Sequence, residues 1–158
     1  MKKNLLFLLL ISSFFGCKDD GCSNSVNLNV DKAQLALDIA AIDAYLDQND
    51  IDAVEHPSGL RYLITNIGDG SDVSLCDNVV VDYKGSFLDG TEFQRSPRPL
   101  GLTMRNLITG WQIGIPLIKE RGEIILYIPS VYAYGEQGSA DIPKNSNLIF
   151  EIDLYVIQ

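Results

Sequence analysis

A small set of aromatic and apolar residues recurs in order through the C-terminal half of the chain. It runs Tyr83, Phe93, Leu107-Ile108-Thr109-Gly110-Trp111, Tyr132-Ala133-Tyr134-Gly135, Ile142-Pro143, and then Leu148 to Leu154, which contains Phe150. Side chains of these types do not attack, abstract protons or ligate metals. What they offer is a dry apolar surface with hydroxyl and backbone N–H donors at its rim. The rest of the chain sets no covalent machinery beside them: there is no Ser-His-Asp set, no catalytic cysteine and no phosphate loop. The one histidine, His56, stands in a polar connector, Asn49 to Gly59, with no Cys, His or acidic cluster at ligand spacing. It reads as a solvated loop residue, and no metal or cofactor is expected.

As an ordered set at near-family spacing, over residues 58–158, these residues resemble the FKBP-type peptidyl-prolyl cis/trans isomerases. The resemblance implies an α+β fold, a twisted antiparallel half-barrel sheet wrapped around a short helix. It also implies a reaction that needs no nucleophile. Rotation about an X-Pro bond is opposed by amide resonance, a barrier of roughly 18–20 kcal/mol. A pocket that grips the prolyl ring and desolvates the amide favours the twisted, less polar state. On the resemblance, Trp111 forms the floor, and Tyr83, Phe93 and Phe150 form the walls. Leu107 and Ile108 line one side, with the Ile108 N–H binding a substrate carbonyl. Tyr134 offers its hydroxyl to another carbonyl, and Ile142 closes the rim.

Three departures from the family pattern bear on activity. Gln94 stands where an Asp usually follows the wall Phe, so a charge-assisted hydrogen bond is lost. The wall aromatic of the next strand is replaced by an aliphatic residue, assigned to Leu100. The segment from Phe93 to Pro99 is about three residues shorter than in better-known members, and neither Arg95 nor Arg98 can be assigned to the flap arginine. Reduced catalytic efficiency with retained prolyl binding is the expectation. The alternative is a non-catalytic or weakly catalytic prolyl-binding or chaperone module.

The elements that must position these residues are legible in part. Leu60 to Ile67 alternates imperfectly as a strand, with a turn at Gly68-Asp69-Gly70-Ser71. Val79 to Tyr83 reads as a central strand. Leu88-Asp89-Gly90-Thr91 is a hairpin turn. Gln112 to Lys119 is expected as a short helix despite Pro116. Glu123 to Ile128 is a strand ended by Pro129, and Asn147 to Val156 is a long last strand with alternating apolar residues. Upstream, Asp31 caps a helix over residues 32 to about 48, with Gln34 placed for a capping box and Val30 and Leu35 for a hydrophobic staple. Leu35, Ile39, Ile42 and Leu46 form its apolar stripe. That stripe packs on its own domain or makes a dimer, and a monomer is the favoured reading.

The N-terminus reads as a targeting segment. Lys2 and Lys3 precede an apolar run from Leu5 to Phe15, too short to span a bilayer permanently, which ends in Phe14-Phe15-Gly16-Cys17. This looks like a lipobox. It implies cleavage after residue 16 and lipid on Cys17, and places the protein lipid-anchored in the cell envelope, at the outer membrane, on the periplasmic face or the cell surface. Residues 17–30 read as a polar tether, 31–57 as helix and connector, and 58–158 as the isomerase-like domain. Loss of residues 1–16 removes two lysines and no acid, taking the net charge from −9 to −11. An acidic chain of this kind is a poor nucleic-acid binder. In an oxidising envelope, Cys22 and Cys76 are candidates for a disulfide. The expected partners are proline-containing polypeptides and, through Cys17, a membrane.

Overall fold

The computed structural model describes residues 22–158, so the signal segment and Cys17 lie outside the described residues. Helix α1 (Lys32–Gln48) is followed by strands β1 (Val54–Glu55), β2 (Arg61–Asn66), β3 (Asn78–Phe87), β4 (Glu92–Arg95) and β5 (Leu100–Thr103). Helix α2 (Thr109–Gly114) comes next, then β6 (Glu123–Ile128) and β7 (Leu148–Ile157). The strands form one antiparallel sheet in the order β1-β2-β6-β7-β3-β4, with β5 also paired to β3.

The two ten-residue strands, β3 and β7, form the middle of the sheet, and their alternation sorts side chains between its faces. Val79, Val81, Ile124, Leu126, Ile128, Leu148, Phe150, Ile152 and Leu154 turn inward and build the main core around α2. Helix α2 packs closely on β6 through two glycines. A Cβ at Gly114 would sit 2.5 Å from Leu126 Cδ1, and one at Gly110 would come closer still to Ile128. The two glycines are one helical turn apart, so the smooth face they make sets the helix height above the sheet.

Helix α2 begins three residues earlier than the sequence suggests and ends at Gly114; Ile115–Leu117 continues as a 3-10 turn. Pro116 has no N–H to give to the Gln112 carbonyl, so the helix tightens and stops. Trp111 thereby falls inside the helix rather than before it. Strands β4 and β5 carry no alternation long enough to announce them. The hairpin between β3 and β4 turns through Gly90 at φ +84°, with Asp89 Oδ1 accepting from the Thr91 N–H at 2.8 Å. His56 is half-buried rather than solvated: it bonds Ser58 Oγ at 2.9 Å, and burial lowers its pKa.

The opposite face of the sheet is covered at one end by α1. Ile42 and Leu46 pack there on Tyr127 and Ile149. Buried side chains of this size contribute about 1.5–3 kcal/mol each. Asp31 caps the helix through the Ala33 and Gln34 N–H groups at 2.8 and 3.1 Å. The reciprocal half of the capping box is not made, because the Gln34 amide turns inward to donate to Asp38 at 2.8 Å. Arg61, 7% exposed, clasps Asp43 of α1 through two nitrogens at 2.9 and 3.0 Å. Ile42 and Leu46 of the apolar stripe are therefore covered by the chain's own sheet. Residues 31–57 are continuous with the domain, not an appendage to it.

The N-terminal stretch is also tied down. A disulfide joins Cys22 to Cys76, with Cα atoms 5.9 Å apart. Asn24 accepts from Ser74 Oγ and the Leu75 N–H at 2.8 and 2.9 Å, and Val26 and Val30 pack on the main core. Residues 22–30 are thus held against the domain.

Beyond α1 the outer face is open and acidic. Glu123 and Asp82 stand directly opposite Asp153 on its two neighbouring strands. Burial first, then Glu123, Asp82 and Glu151, raise the Asp153 pKa. A raised carboxyl pKa means the ionised form is disfavoured in the folded state. That penalty is present at neutral pH and fades as pH falls through the folded pKa. Asp153→Asn should therefore raise Tm at pH 7 by about 1–2 °C. The gain should shrink in acid. An unchanged or lowered Tm at pH 7 would show that the row does not repel.

Candidate active site

At the open edge of the core, between α2 and the inner face of β3, lies a cleft of about 320 Å³. Tyr83, Gln94, Leu102, Asn106, Leu107, Ile108, Trp111, Tyr134 and Phe150 line it. Trp111 is 4% exposed and Phe150 3%, and their rings meet edge to face at 5.2 Å. Tyr83 meets Trp111 at 5.1 Å and 82°, and Phe93 meets Phe150 at 5.7 Å and 86°. Such perpendicular pairs set the electropositive edge of one ring on the face of the next, so they lock one another's orientation.

Two strand features build this wall. Gly85 lies directly opposite Phe150 on β3, and a Cβ there would come within 2.7 Å of Phe93 and 2.9 Å of Phe150. The missing side chain is the room in which the two rings meet. Beside it, Ser96 fixes the Tyr83 backbone. Its hydroxyl accepts from the Tyr83 N–H at 2.9 Å and donates to Asp82, and the Ser96 N–H donates to the Tyr83 carbonyl at 3.0 Å. Burial, then the neighbouring Tyr134, raises the Tyr83 pKa, so its hydroxyl is protonated at neutral pH.

The opposite lip is the segment entering α2. Gln112 donates its side-chain amide to the Arg105 and Leu107 carbonyls at 3.1 and 2.8 Å, bracing this segment from within the helix. Ile108 is extended, at φ −57° and ψ 149°. Its carbonyl accepts from Trp111 and Gln112 at 3.0 and 3.2 Å, while its N–H makes no backbone bond among the described residues. A donor is thus held free at the edge of an aromatic floor. The indole N–H of Trp111 is likewise buried without a partner among the described residues.

Tyr134 follows a 3-10 turn, Ser130–Tyr132, in the loop that leads from β6 to β7. Of the two tyrosines here, Tyr132 is structural: it is 2% exposed and donates its hydroxyl to the Ser58 carbonyl at 2.9 Å. Tyr134 and Gln94 separate the main cleft from a second one of about 410 Å³, bounded by Phe93, Ser139, Ala140, Asp141 and Ile142.

The sequence-assigned residues Tyr83, Gln94, Leu107, Ile108, Trp111, Tyr134 and Phe150 therefore line one cleft, and Phe93 and Ile142 the adjoining one. Leu100 lines neither. Leu102, two residues on and opposite Val79, takes the wall position given to Leu100. Neither Arg95 nor Arg98 lines either of these two clefts. Arg95 is held by Glu92 on its own strand at 2.8 Å. Asn106, Gln112 and Gly85 escape a reading by residue type, because each acts through position rather than chemistry. Among the described residues no group of three or more His, Cys, Asp or Glu side chains is placed to hold a metal ion.

A family model described as FKBP-type peptidyl-prolyl cis-trans isomerase matches residues 70–155. The isomerase FkpA of Escherichia coli K12 is 41% identical over 100 residues, covering 61% of this chain and 37% of that one. FkpA of Buchnera aphidicola from Baizongia pistaciae is 44% identical over 110 residues, covering 68% and 44%. Among solved structures, the crystal structure of FkpA from Escherichia coli superposes with a TM-score of 0.69 at 34% identity, covering 80% of this chain and 64% of that one. That of AtFKBP13 gives 0.62 at 27% identity, covering 68% and 99%. The chain spans less than half the length of the curated relatives it matches. Because the matched segment contains every residue that lines the main cleft, from Tyr83 to Phe150, the chain belongs to the FKBP-type peptidyl-prolyl cis-trans isomerase family.

Proposed function

We propose that this protein accelerates cis/trans rotation about X-Pro bonds, in proline-containing polypeptides folding in the cell envelope. The observation that carries the reading is a buried tryptophan floor, edged by Tyr83 and Phe150, with the uncommitted Ile108 N–H at its rim. The prolyl ring rests on Trp111, and the Ile108 N–H and the Tyr134 hydroxyl hold the carbonyls on either side. The planar amide is the more polar state, so a dry cleft disfavours it relative to the twisted one. No proton moves and no bond breaks.

The test is a protease-coupled assay on a Leu-Pro or Phe-Pro peptide. Acceleration that Tyr134→Phe weakens about 3–10-fold, the worth of one neutral hydrogen bond, supports the reading. A folded protein giving no acceleration moves it to a prolyl-binding or chaperone module without catalysis.

Gln94 is the residue on which that choice turns. It is exposed at the cleft mouth and lines both cavities. A carboxylate there makes stronger hydrogen bonds to pocket donors such as the Tyr83 hydroxyl, a gain of about 1 kcal/mol. Gln94→Asp should then raise kcat/KM about five-fold. An unaltered kcat/KM would show that Gln94 does not limit the reaction.

Anchoring through lipid on Cys17 belongs to the same proposal and rests on the lipobox-like sequence alone. Cys17→Ser should release the protein from membranes into the aqueous phase; continued membrane association would remove the anchor from the reading.

A further inference from the structure

Helix α1 carries an acid where its buried stripe calls for an apolar residue. Asp38, Ile42 and Leu46 succeed one another at intervals of four on the face turned to the domain, and Asp38 is 2% exposed. A buried carboxylate costs desolvation that a leucine at the same place does not, so its contacts must be specific to offset it. They are. One oxygen accepts from the Gln34 amide at 2.8 Å. The other leaves the helix and accepts from Ser130 Oγ at 2.7 Å and the Val131 N–H at 3.3 Å. The Asp38 backbone carbonyl accepts from the Asn147 side-chain amide at 3.3 Å, and Asn147 Oδ1 accepts from the Ser130 N–H at 3.0 Å.

These bonds fall in a telling place. Ser130 and Val131 open the loop between β6 and β7, and Asn147 closes it. Between them the loop delivers Tyr134 and Ile142 to the two clefts. The family match begins at residue 70, so the helix that holds this loop lies outside it.

We propose that Asp38 is a positioning residue for the active-site loop, pinning both of its stems to α1 so that the Tyr134 hydroxyl meets its substrate carbonyl in one fixed geometry. The proposal rests on the assignment of Tyr134 to the prolyl site. It acts through the loop, and Asp38 itself touches no substrate.

The test compares the whole chain with Asp38→Ala, Asp38→Asn and Ser130→Ala. Amide hydrogen exchange is read across residues 130–147, and kcat/KM is read with and without Tyr134→Phe. Asp38→Ala removes the carboxylate bonds to Ser130 and Val131 and keeps the backbone carbonyl that Asn147 holds, so exchange should speed about ten-fold or more at the start of the loop while the centres of β3 and β7 stay protected. It should lower kcat/KM about ten-fold, and cost little further in the Tyr134→Phe background, because both changes remove one interaction. Asp38→Asn should stay within about three-fold of the parent, since Gln34 can flip its amide and the remaining oxygen still accepts from the loop. Ser130→Ala, a small change that removes one loop-side donor, should fall between them. Ile42→Val, on the same helix one turn on, loosens α1 packing without touching the loop and should leave kcat/KM unaltered.

Unchanged loop exchange in both Asp38→Ala and Ser130→Ala overturns the proposal, as do losses that add fully to that of Tyr134→Phe. If the parent protein shows no isomerase activity, the exchange result still decides whether the clamp exists.

Discussion

Replacing Trp111 with alanine should remove both prolyl catalysis and much of the stability of the domain. Truncating a buried tryptophan costs about 3–5 kcal/mol. Trp111 also orients Tyr83 and Phe150 through perpendicular contacts, each worth about 0.5–1.5 kcal/mol beyond area. Thermal unfolding should therefore fall by roughly 10 °C or more. Any protein still folded below that temperature has lost the surface on which the prolyl ring rests. A burial term of about 2–3 kcal/mol then disappears from transition-state binding, near a hundred-fold in kcat/KM. Trp111→Phe separates the two effects. It keeps a ring over the core and removes an indole N–H that is buried without a partner among the described residues, so stability should suffer far less than in the alanine variant while activity still drops. A folded Trp111→Ala protein with undiminished acceleration would place the reaction elsewhere on the molecule.

The second large effect is expected from the disulfide. Cys22 and Cys76 are 54 residues apart in sequence, and the bond closes a loop containing α1, β1 and β2. In the chain-entropy account, a cross-link of this span stabilises by roughly 4 kcal/mol, most of it by restricting the unfolded chain. The double variant Cys22→Ser/Cys76→Ser should lower the denaturant midpoint and steepen the slope, because the freed unfolded chain exposes more surface. Arg105 leans on this bridge, contacting Cys22 Sγ and donating to the Ser23 carbonyl at 3.2 Å. Its loss should therefore be felt next to the cleft, where Asn106 and Leu107 follow. Equal midpoints with and without reductant would show that packing of residues 24–30 alone holds the N-terminal stretch.

What could be read from residue order was chiefly what depends on local chemistry. The start of α1 follows from Asp31, whose carboxylate caps two N–H groups, and the end of β6 follows from Pro129, which cannot continue a ladder. Strand β7 announces itself because one face is core and the other is solvent over much of its length. Helix α2 is different. At six residues it is too short for a periodic signal, and it exists because two glycines let it sit on β6.

The cleft divides in the same way. Its aromatic residues were legible by type, but Leu100 and Leu102 share parity on one short strand, so alternation cannot choose between them. Only the folded chain, which puts Leu102 and not Leu100 on the cleft, decides it. Asp38 was invisible for a related reason. An acid in an amphipathic helix normally marks the wet face, and nothing short of the fold places Ser130 and Asn147 against it.

The bridge at Cys22 also sets a length. On the proposal that Cys17 carries lipid, only five residue steps separate the anchor from a position bonded to the domain, at most about 18 Å of fully extended chain. The domain would then work on a short leash, its cleft lip at Arg105 and Asn106 close to the head-group layer. It would meet chains as they arrive at the bilayer surface, not those diffusing through the compartment. Opening the bridge would move the next fixed point only to Asn24 and Val26. On that proposal, oxidation would trim the leash by a couple of residues while greatly strengthening its attachment.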